Sequence, residues 1–398
     1  MIELDKDFDV FVENHRGEDP LKLRLRYGGK DAAGSTLLAL DHLACVSKAG
    51  RKFDLPDGTT WMPRLMLNPL SVEQASSAHV ALMRASLVDR GLRILDMTCG
   101  LGMDIRGFLT REPVEITGIE MNRLSADVAA VNFKEFPNVK IIKGDSVEYL
   151  SSIDDDRYDL IYIDPARRDS SGGRVYNLHD CTPDLTAILP EMLRKSRIVM
   201  AKLSPMLDIT QTLADLTGIS RLIAVEEKGE CKELLVVIER DFDGEAKIST
   251  GLEADAMSFT LSQEKNAGVH FGEPEAGLWL HVPGAGAMKA GCFKLLSASF
   301  DDMAKVAPNS HLYISHEKHD RFPGKAYYID DVIEYTSSNI KRLAGERLNA
   351  DVTVRNFPLT AAELQKKLKI RPGNGCRLFA TVTSTGRKVL IISGKSMI

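Results

Sequence analysis

Four acids fall at the ends of four short apolar runs: Asp96 in ILDM, Glu120 in GIEM, Asp145 in KGDS and Asp164 in YIDP. In an open α/β sheet, ligands bind at the carboxyl ends of the strands. Each acid alone reads more readily as a helix cap or surface charge, but four at successive strand ends point to a binding site. Between the first two lies Gly100-Leu101-Gly102, a G-x-G without the third glycine of a dinucleotide fingerprint. Glycine there lets backbone come close to a ligand. A dinucleotide also needs its pyrophosphate seated on a helix N-terminus, so the shortened loop suits a nucleoside ligand without phosphate. Glu120 comes eighteen residues after Gly102, the spacing of an acid that accepts from both ribose hydroxyls. Asp145 could accept from an adenine amino group. Asp164 opens the run Asp164-Pro165-Ala166-Arg167-Arg168, a carboxylate beside two cations that could hold an acceptor group and a phosphate or base.

The elements that must position these residues follow from pattern. The runs LRILDM, EITGIEM, VKIIKGD, YDLIYID, SRIVMAKL, RLIAVEE and KELLVVIER alternate at first with helix-like stretches such as NRLSADVAAVNFKEF and TPDLTAILPEMLRK. Continuous apolar strands separated by helices predict a parallel sheet covered on both faces. The last two runs are separated only by KGECK, too short for a crossover, so they are expected to pair antiparallel. Ahead of the sheet, residues 1–88 read as mainly helical, and Ser71 with Gln74 reads as a capping box opening a helix through LSVEQASSAHVALMRASLV. Residues 245–275 are polar and read as an irregular linker. Toward the C-terminus, Thr360 and Glu363 form a second capping box and STGR supplies a hairpin turn.

The motifs LDMTCGLGMD, GIEMN, KGDS and YIDPARR resemble the successive motifs of class I S-adenosylmethionine-dependent methyltransferases. With SVEQASSAHVALMRAS, AKLSPMLDI and VTVRNFPLTAAELQKKLKI, nearly the whole chain is similar to a bacterial family of such enzymes. The resemblance implies an α/β architecture in four parts: a helical N-terminal domain (1–88), a Rossmann-like methyltransferase domain (89–245), a ferredoxin-like segment (276–325) and a THUMP-like, RNA-binding domain (326–398). It implies S-adenosylmethionine as cofactor, with Gly100 and Gly102 near its methionine and ribose and Glu120 on the ribose. Asp145 would meet the adenine, and Asp164–Pro165 would form the floor of the transfer pocket. Asp96 belongs to the same loop, and Gln74 and Ser76 would close over the cofactor.

Amino-group methyltransferases place Asp/Asn-Pro-Pro-aromatic at this floor. Here the acid and first proline are present, while the second proline and the ring are replaced by Ala166 and Arg167. Arg167 could stack through its guanidinium or grip a phosphate. Arg168, Lys202 and Tyr176, the last in SSGGRVYNLHD, are further candidates for substrate contact. A ribose 2′-O chemistry competes, with Asp164 and Lys202 as half of a Lys-Asp-Lys-Glu set that Glu233 or Glu239 would extend. C5-pyrimidine chemistry needs a nucleophilic cysteine, and neither Cys99 nor Cys181 sits in a recognisable nucleophile motif. His179 could serve as a base. A third possibility is an RNA-binding protein with a silent methyltransferase domain.

Composition sets the remaining bounds. Net charge is −5, yet residues 341–398 carry twelve Lys and Arg against three acids, a surplus of nine that leaves −14 elsewhere. A basic module on an acidic body predicts a polyanion partner; with the THUMP-like resemblance this implies RNA, either tRNA or rRNA. Six scattered cysteines and nine isolated histidines suggest neither disulfides nor a metal site. No run of about 18 apolar residues predicts a membrane span, and the acidic N-terminus lacks a signal core, so a cytoplasmic location is expected.

Overall fold

The structure, a computed structural model, describes residues 2–30, 32–167, 178–252, 256–346, 348–373 and 376–394. It divides into two compact units: Met1–Ser220 with Leu235–Gly244, and Arg221–Leu234 with Glu245–Ile398.

The first unit begins with helices α1 (Lys6–Asn14), α2 (Pro20–Tyr27), α3 (Gly34–Ala49), α4 (Pro69–Gln74) and α5 (Ala78–Ser86). Asp5 and Asp19 cap the first two by accepting from backbone N–H groups of the first turn. Phe8, Cys45, Phe53, Leu65 and Met66 bury together with Leu101 and Met103. The helical region therefore shares its core with the loop after the first strand. The helix expected to run unbroken from Ser71 is instead α4 followed by α5. Asn68 caps α4 by accepting from Leu70 N, with Pro69 in the first turn, and Ser77 starts α5 by accepting from Val80 N. No Ser71–Gln74 capping box forms, because Asn68-Pro69 starts the helix earlier and Ser77 starts a new one.

The strands are β1 (Arg93–Asp96), β2 (Glu115–Glu120), β3 (Val139–Lys143), β4 (Leu160–Ile163), β5 (Ile198–Leu203), β6 (Ile219–Glu227) and β7 (Glu230–Glu239). Parallel pairing sets Arg93 beside Glu115, Ile116 beside Val139, Ile94 beside Leu160 and Leu160 beside Ile198, giving the order β3-β2-β1-β4-β5. All four residues of β4 are buried, as a strand covered on both faces requires. β7 lies next to β5, and it turns back from β6 through Lys228–Gly229, both at positive φ, the conformation that a two-residue hairpin turn favours. The parallel sheet closed by a hairpin strand is the architecture expected from the sequence. Helices α6 (Met103–Phe108), α7 (Arg123–Asn132), α8 (Ser146–Ser152), α9 (Leu185–Lys195) and α10 (Ile209–Asp215) connect the strands.

In the second unit, Lys247–Ser249 pairs parallel with Arg221–Ile223 and antiparallel with Ser258–Phe259. Helix Leu261–Asn266 has a complete Thr260–Gln263 capping box. Residues 245–275 thus carry regular structure where a linker was expected; strands of two and three residues are too short to show an alternation. Further on, Trp279–Pro283 pairs with Tyr313–Ser315 and Gly324–Tyr328. Arg377–Val382 pairs with Lys388–Ser393 across the expected turn, and the Thr360–Glu363 box forms as read. Alternate residues of this hairpin face two layers. Phe379, Val389 and Ile391 pack with Leu280 and Ile314, while Leu378, Leu390 and Ile392 pack with Leu343, Leu364 and Leu368.

Candidate functional site

The first unit's sheet reverses its order between β1 and β4, where an open α/β sheet leaves a crevice. The loop after β1 is tied to both neighbouring strands. Met97 N donates to Tyr162 O at 2.9 Å, Cys99 N to Ile119 O at 3.0 Å, and Gly100 N to Glu120 Oε2 at 3.1 Å. The other Glu120 oxygen, Oε1, accepts from Asn122 N at 2.7 Å, so the carboxylate at the end of β2 is fixed by two backbone donors. Asp164 N donates to Thr98 Oγ1 at 2.8 Å. The end of β4 is thereby fastened to the glycine loop.

Asp96 is fully buried. Its Oδ1 accepts from Thr98 N at 3.0 Å, and its Oδ2 has no hydrogen-bond partner among the described residues. Burial pushes its carboxyl up to about 7; the Thr98 N–H opposes the shift, and the charges of Asp164 and Glu120 add to it. The two glycines differ. Gly100 has φ 52° with open space where a Cβ would stand, whereas a Cβ on Gly102 (φ 82°) would lie 2.0 Å from Phe133 Cε2. Packing and backbone conformation therefore account for Gly102, while Gly100 leaves room for a ligand.

Beneath this loop is a network that sequence reading missed. Arg84 of α5, fully buried, pairs through Nη1 with Asp104 Oδ1 in the first turn of α6, and its guanidinium lies 5.4 Å from the centroid of the Tyr162 ring. Tyr162 Oη donates to Asp104 Oδ2 at 3.1 Å; Ser76 Oγ donates to the same oxygen at 3.4 Å and accepts from Arg84 Nη1 at 3.3 Å. Helices α5 and α6 fit closely, because a Cβ on Gly107 would lie 2.5 Å from Ala81 O. The available signal was a lone cation among the apolar residues of α5, with an acid two residues after Gly102. Ser76 belongs to this buried network, and Gln74 is exposed at the end of α4. Asp145 caps α8, its Oδ1 accepting from Val147 N at 2.7 Å and Glu148 N at 3.3 Å.

On the other side of β4, Lys202 Nζ pairs with Asp164 Oδ2. The register sets Ile163 beside Ala201, so these two side chains occupy the next positions on adjacent strands. Pro165 is buried, and Ala166–Arg167 pairs antiparallel with Cys181–Thr182. The Arg167 side chain, Arg168 and Tyr176 lie outside the described residues. His179 Nδ1 contacts Thr186 Oγ1 at 2.9 Å. Glu239 accepts from Ser220 Oγ at 2.5 Å, and its N donates to Gly218 O at 2.9 Å; the next residue, Arg240, donates to Arg197 O just before β5. Glu239 is therefore at the opposite end of the sheet from Lys202. Glu233 is buried in the second unit. Met121, directly after Glu120, is 64% exposed, an apolar side chain at the sheet's carboxyl edge that sequence reading did not single out.

Comparison with known proteins agrees with this architecture. A family model for a ferredoxin-like domain matches residues 279–323, and one for a THUMP-like domain matches residues 324–395. The structure of a protein from Porphyromonas gingivalis W83, provisionally assigned as a methyltransferase, is 28% identical, covers all of both chains and superposes with a TM-score of 0.84. Over 111 residues, 28% of this chain, the sequence is 31% identical to a ubiquinone biosynthesis O-methyltransferase of Alkalilimnicola ehrlichii, of which the match spans 44%.

Proposed function

We propose that the chain is a class I methyltransferase carrying a C-terminal THUMP-like domain and that it transfers a methyl group from S-adenosylmethionine to an amino group of a base in RNA. The observation that carries this reading is Asp164–Pro165 at the end of β4, fastened to the glycine loop through Thr98. An acceptor held by Asp164 is thereby held relative to whatever the loop binds.

The residues present suit S-adenosylmethionine. The buried Asp96 Oδ2, without a partner among the described residues, is a polar atom left for a ligand to meet. Each Glu120 oxygen takes one backbone N–H and retains a lone pair for a ribose hydroxyl. Open space at Gly100 admits the ligand, Met121 offers an apolar cover for adenine, and Asp145 stands at the end of β3 as the acceptor for its amino group. Gln74 is the residue of α4 that would close over the cofactor. When bound, S-adenosylmethionine supplies an electrophilic methyl group on a sulfonium and departs as S-adenosylhomocysteine.

Asp164 and a backbone carbonyl after Pro165 would accept the two N–H groups of the acceptor amine, aiming the nitrogen lone pair. As the nitrogen–carbon bond forms, the amine proton passes to Asp164 and on to water. Such positioning supplies much of the rate. Arg167 and Arg168, which follow Ala166 in sequence, would hold the substrate's phosphate or base, and the surplus of nine cations in residues 341–398 would draw RNA to the THUMP-like domain. A ribose 2′-O chemistry is less well supported, since Glu239 stands at the far end of the sheet. Calorimetry tests the cofactor site. Glu120→Ala is expected to weaken S-adenosylmethionine binding by ~1–3 kcal/mol, the cost of leaving polar partners unmatched; unchanged affinity in the folded variant would remove Glu120 from the site.

A further inference from the structure

We infer that Asp164 and Lys202 together read the Watson–Crick edge of adenine or cytosine, so that the acceptor is the exocyclic amine of one of these two bases. The inference rests on the amino-group reading above and narrows it. The two side chains project from the next positions on adjacent strands and are bonded to each other, Lys202 Nζ to Asp164 Oδ2. Their side chains are 16% and 36% exposed respectively, so the pair is sheltered yet open on one side. Asp164 is further fixed through its own N–H on Thr98 Oγ1.

A carboxylate only accepts hydrogen bonds and has two oxygens; an ammonium only donates and has three protons. With one oxygen and one proton committed to each other, the pair still offers an acceptor beside a donor. Its complement is a donor beside an acceptor. Adenine presents this as N6–H next to N1, and cytosine as N4–H next to N3. Guanine's amine is flanked on the same edge by the ring N1–H, which would place a donor against the Lys202 ammonium. Uracil has no exocyclic amine. Lys202 would therefore act as a substrate-reading residue, its ammonium bonded to the ring nitrogen while Asp164 takes the amine proton. The pair forms without substrate, so the acceptor meets an arranged edge and does not have to order two free side chains.

The test uses the full-length protein saturated with S-adenosylhomocysteine, so that no turnover occurs. Binding of 12-nucleotide A, C, G and U homopolymers is compared between wild type and Lys202→Met. Wild type is expected to prefer A or C over G and U by about tenfold, within the range of one good two-bond base contact. Lys202→Met should abolish the preference while leaving S-adenosylhomocysteine affinity and melting temperature near wild type, and Lys202→Arg should restore part of it. Equal binding of all four polymers by wild type, or a preference untouched in Lys202→Met, overturns the inference. A second arm identifies the product by nucleoside mass spectrometry of RNA treated with enzyme and S-adenosylmethionine. N6-methyladenosine or N4-methylcytidine supports the inference. N2-methylguanosine overturns the base assignment while leaving the amino-group reading intact. A 2′-O-methyl or uridine product overturns both.

Discussion

Strand β4 has an ion pair on each side of its C-terminal end, and the two differ in what surrounds them. Arg84 and Asp104 are 0% and 14% exposed in their side chains, with Tyr162 and Ser76 filling further hydrogen-bonding positions. Lys202 and Asp164 are 16% and 36% exposed, and their other fixed bond runs from the Asp164 backbone to Thr98. A buried pair braced by further hydrogen bonds favours one arrangement, and breaking it leaves a charge stranded away from water. A half-open pair retains donors and acceptors that an arriving group can use. Tyr162 bonds to the first pair, and two residues later Asp164 forms the second. Under the proposed function, the comparison separates a buried side, which would set the glycine loop, from a reactive side, which would meet the acceptor.

The sharpest test of that division is stability. Arg84→Met leaves Asp104 without its charge partner and is expected to cost about 3–5 kcal/mol in denaturant unfolding; a loss below 1 kcal/mol would mean that the buried pair does not organise the loop. Asp164→Ala should reverse the pattern. Single-turnover methyl transfer is expected to fall by roughly 10²-fold or more, the contribution of a positioned proton acceptor, with melting temperature and cofactor affinity near wild type. If activity instead tracks the folded fraction, Asp164 is a structural partner of Lys202 and the division fails.

A third test is the pH response of Asp96. Burial pushes its carboxyl up to about 7 in the folded protein, against about 3.9 in an unfolded chain. A raised pKa favours the protonated folded state, so this contribution is fully present below about pH 3.9 and is lost as pH rises through about 7. Asp96→Asn should remove that slope from the unfolding free energy, measured between pH 4 and 7. Identical slopes in variant and wild type would show that Asp96 is not held protonated.

The parallel sheet and its closing hairpin were legible because buried strands write continuous apolar runs and because KGECK is too short to cross over. The acids at strand ends were legible for the same reason, since each ends a run. Less was readable where signals competed. Ser71 and Gln74 match a capping box, yet Asn68-Pro69 and Ser77 supply stronger helix starts on either side. The resemblance implied that Ser76 closes over the cofactor; its hydroxyl bonds to Asp104 and Arg84, residues whose meeting depends on helix packing. Asp164 and Lys202 were read together as half of a Lys-Asp-Lys-Glu set; that they bond directly follows from the β4–β5 register, which links positions 38 residues apart.

The central claim is that this chain methylates RNA. Purified protein with methyl-tritiated S-adenosylmethionine should be incubated with total RNA from a strain lacking its gene and, in parallel, with RNA from the parent strain. The account predicts label in the first RNA and little in the second, whose sites are already modified, with Asp164→Ala labelling neither. No label in either RNA, under conditions where calorimetry shows the cofactor bound, would contradict it.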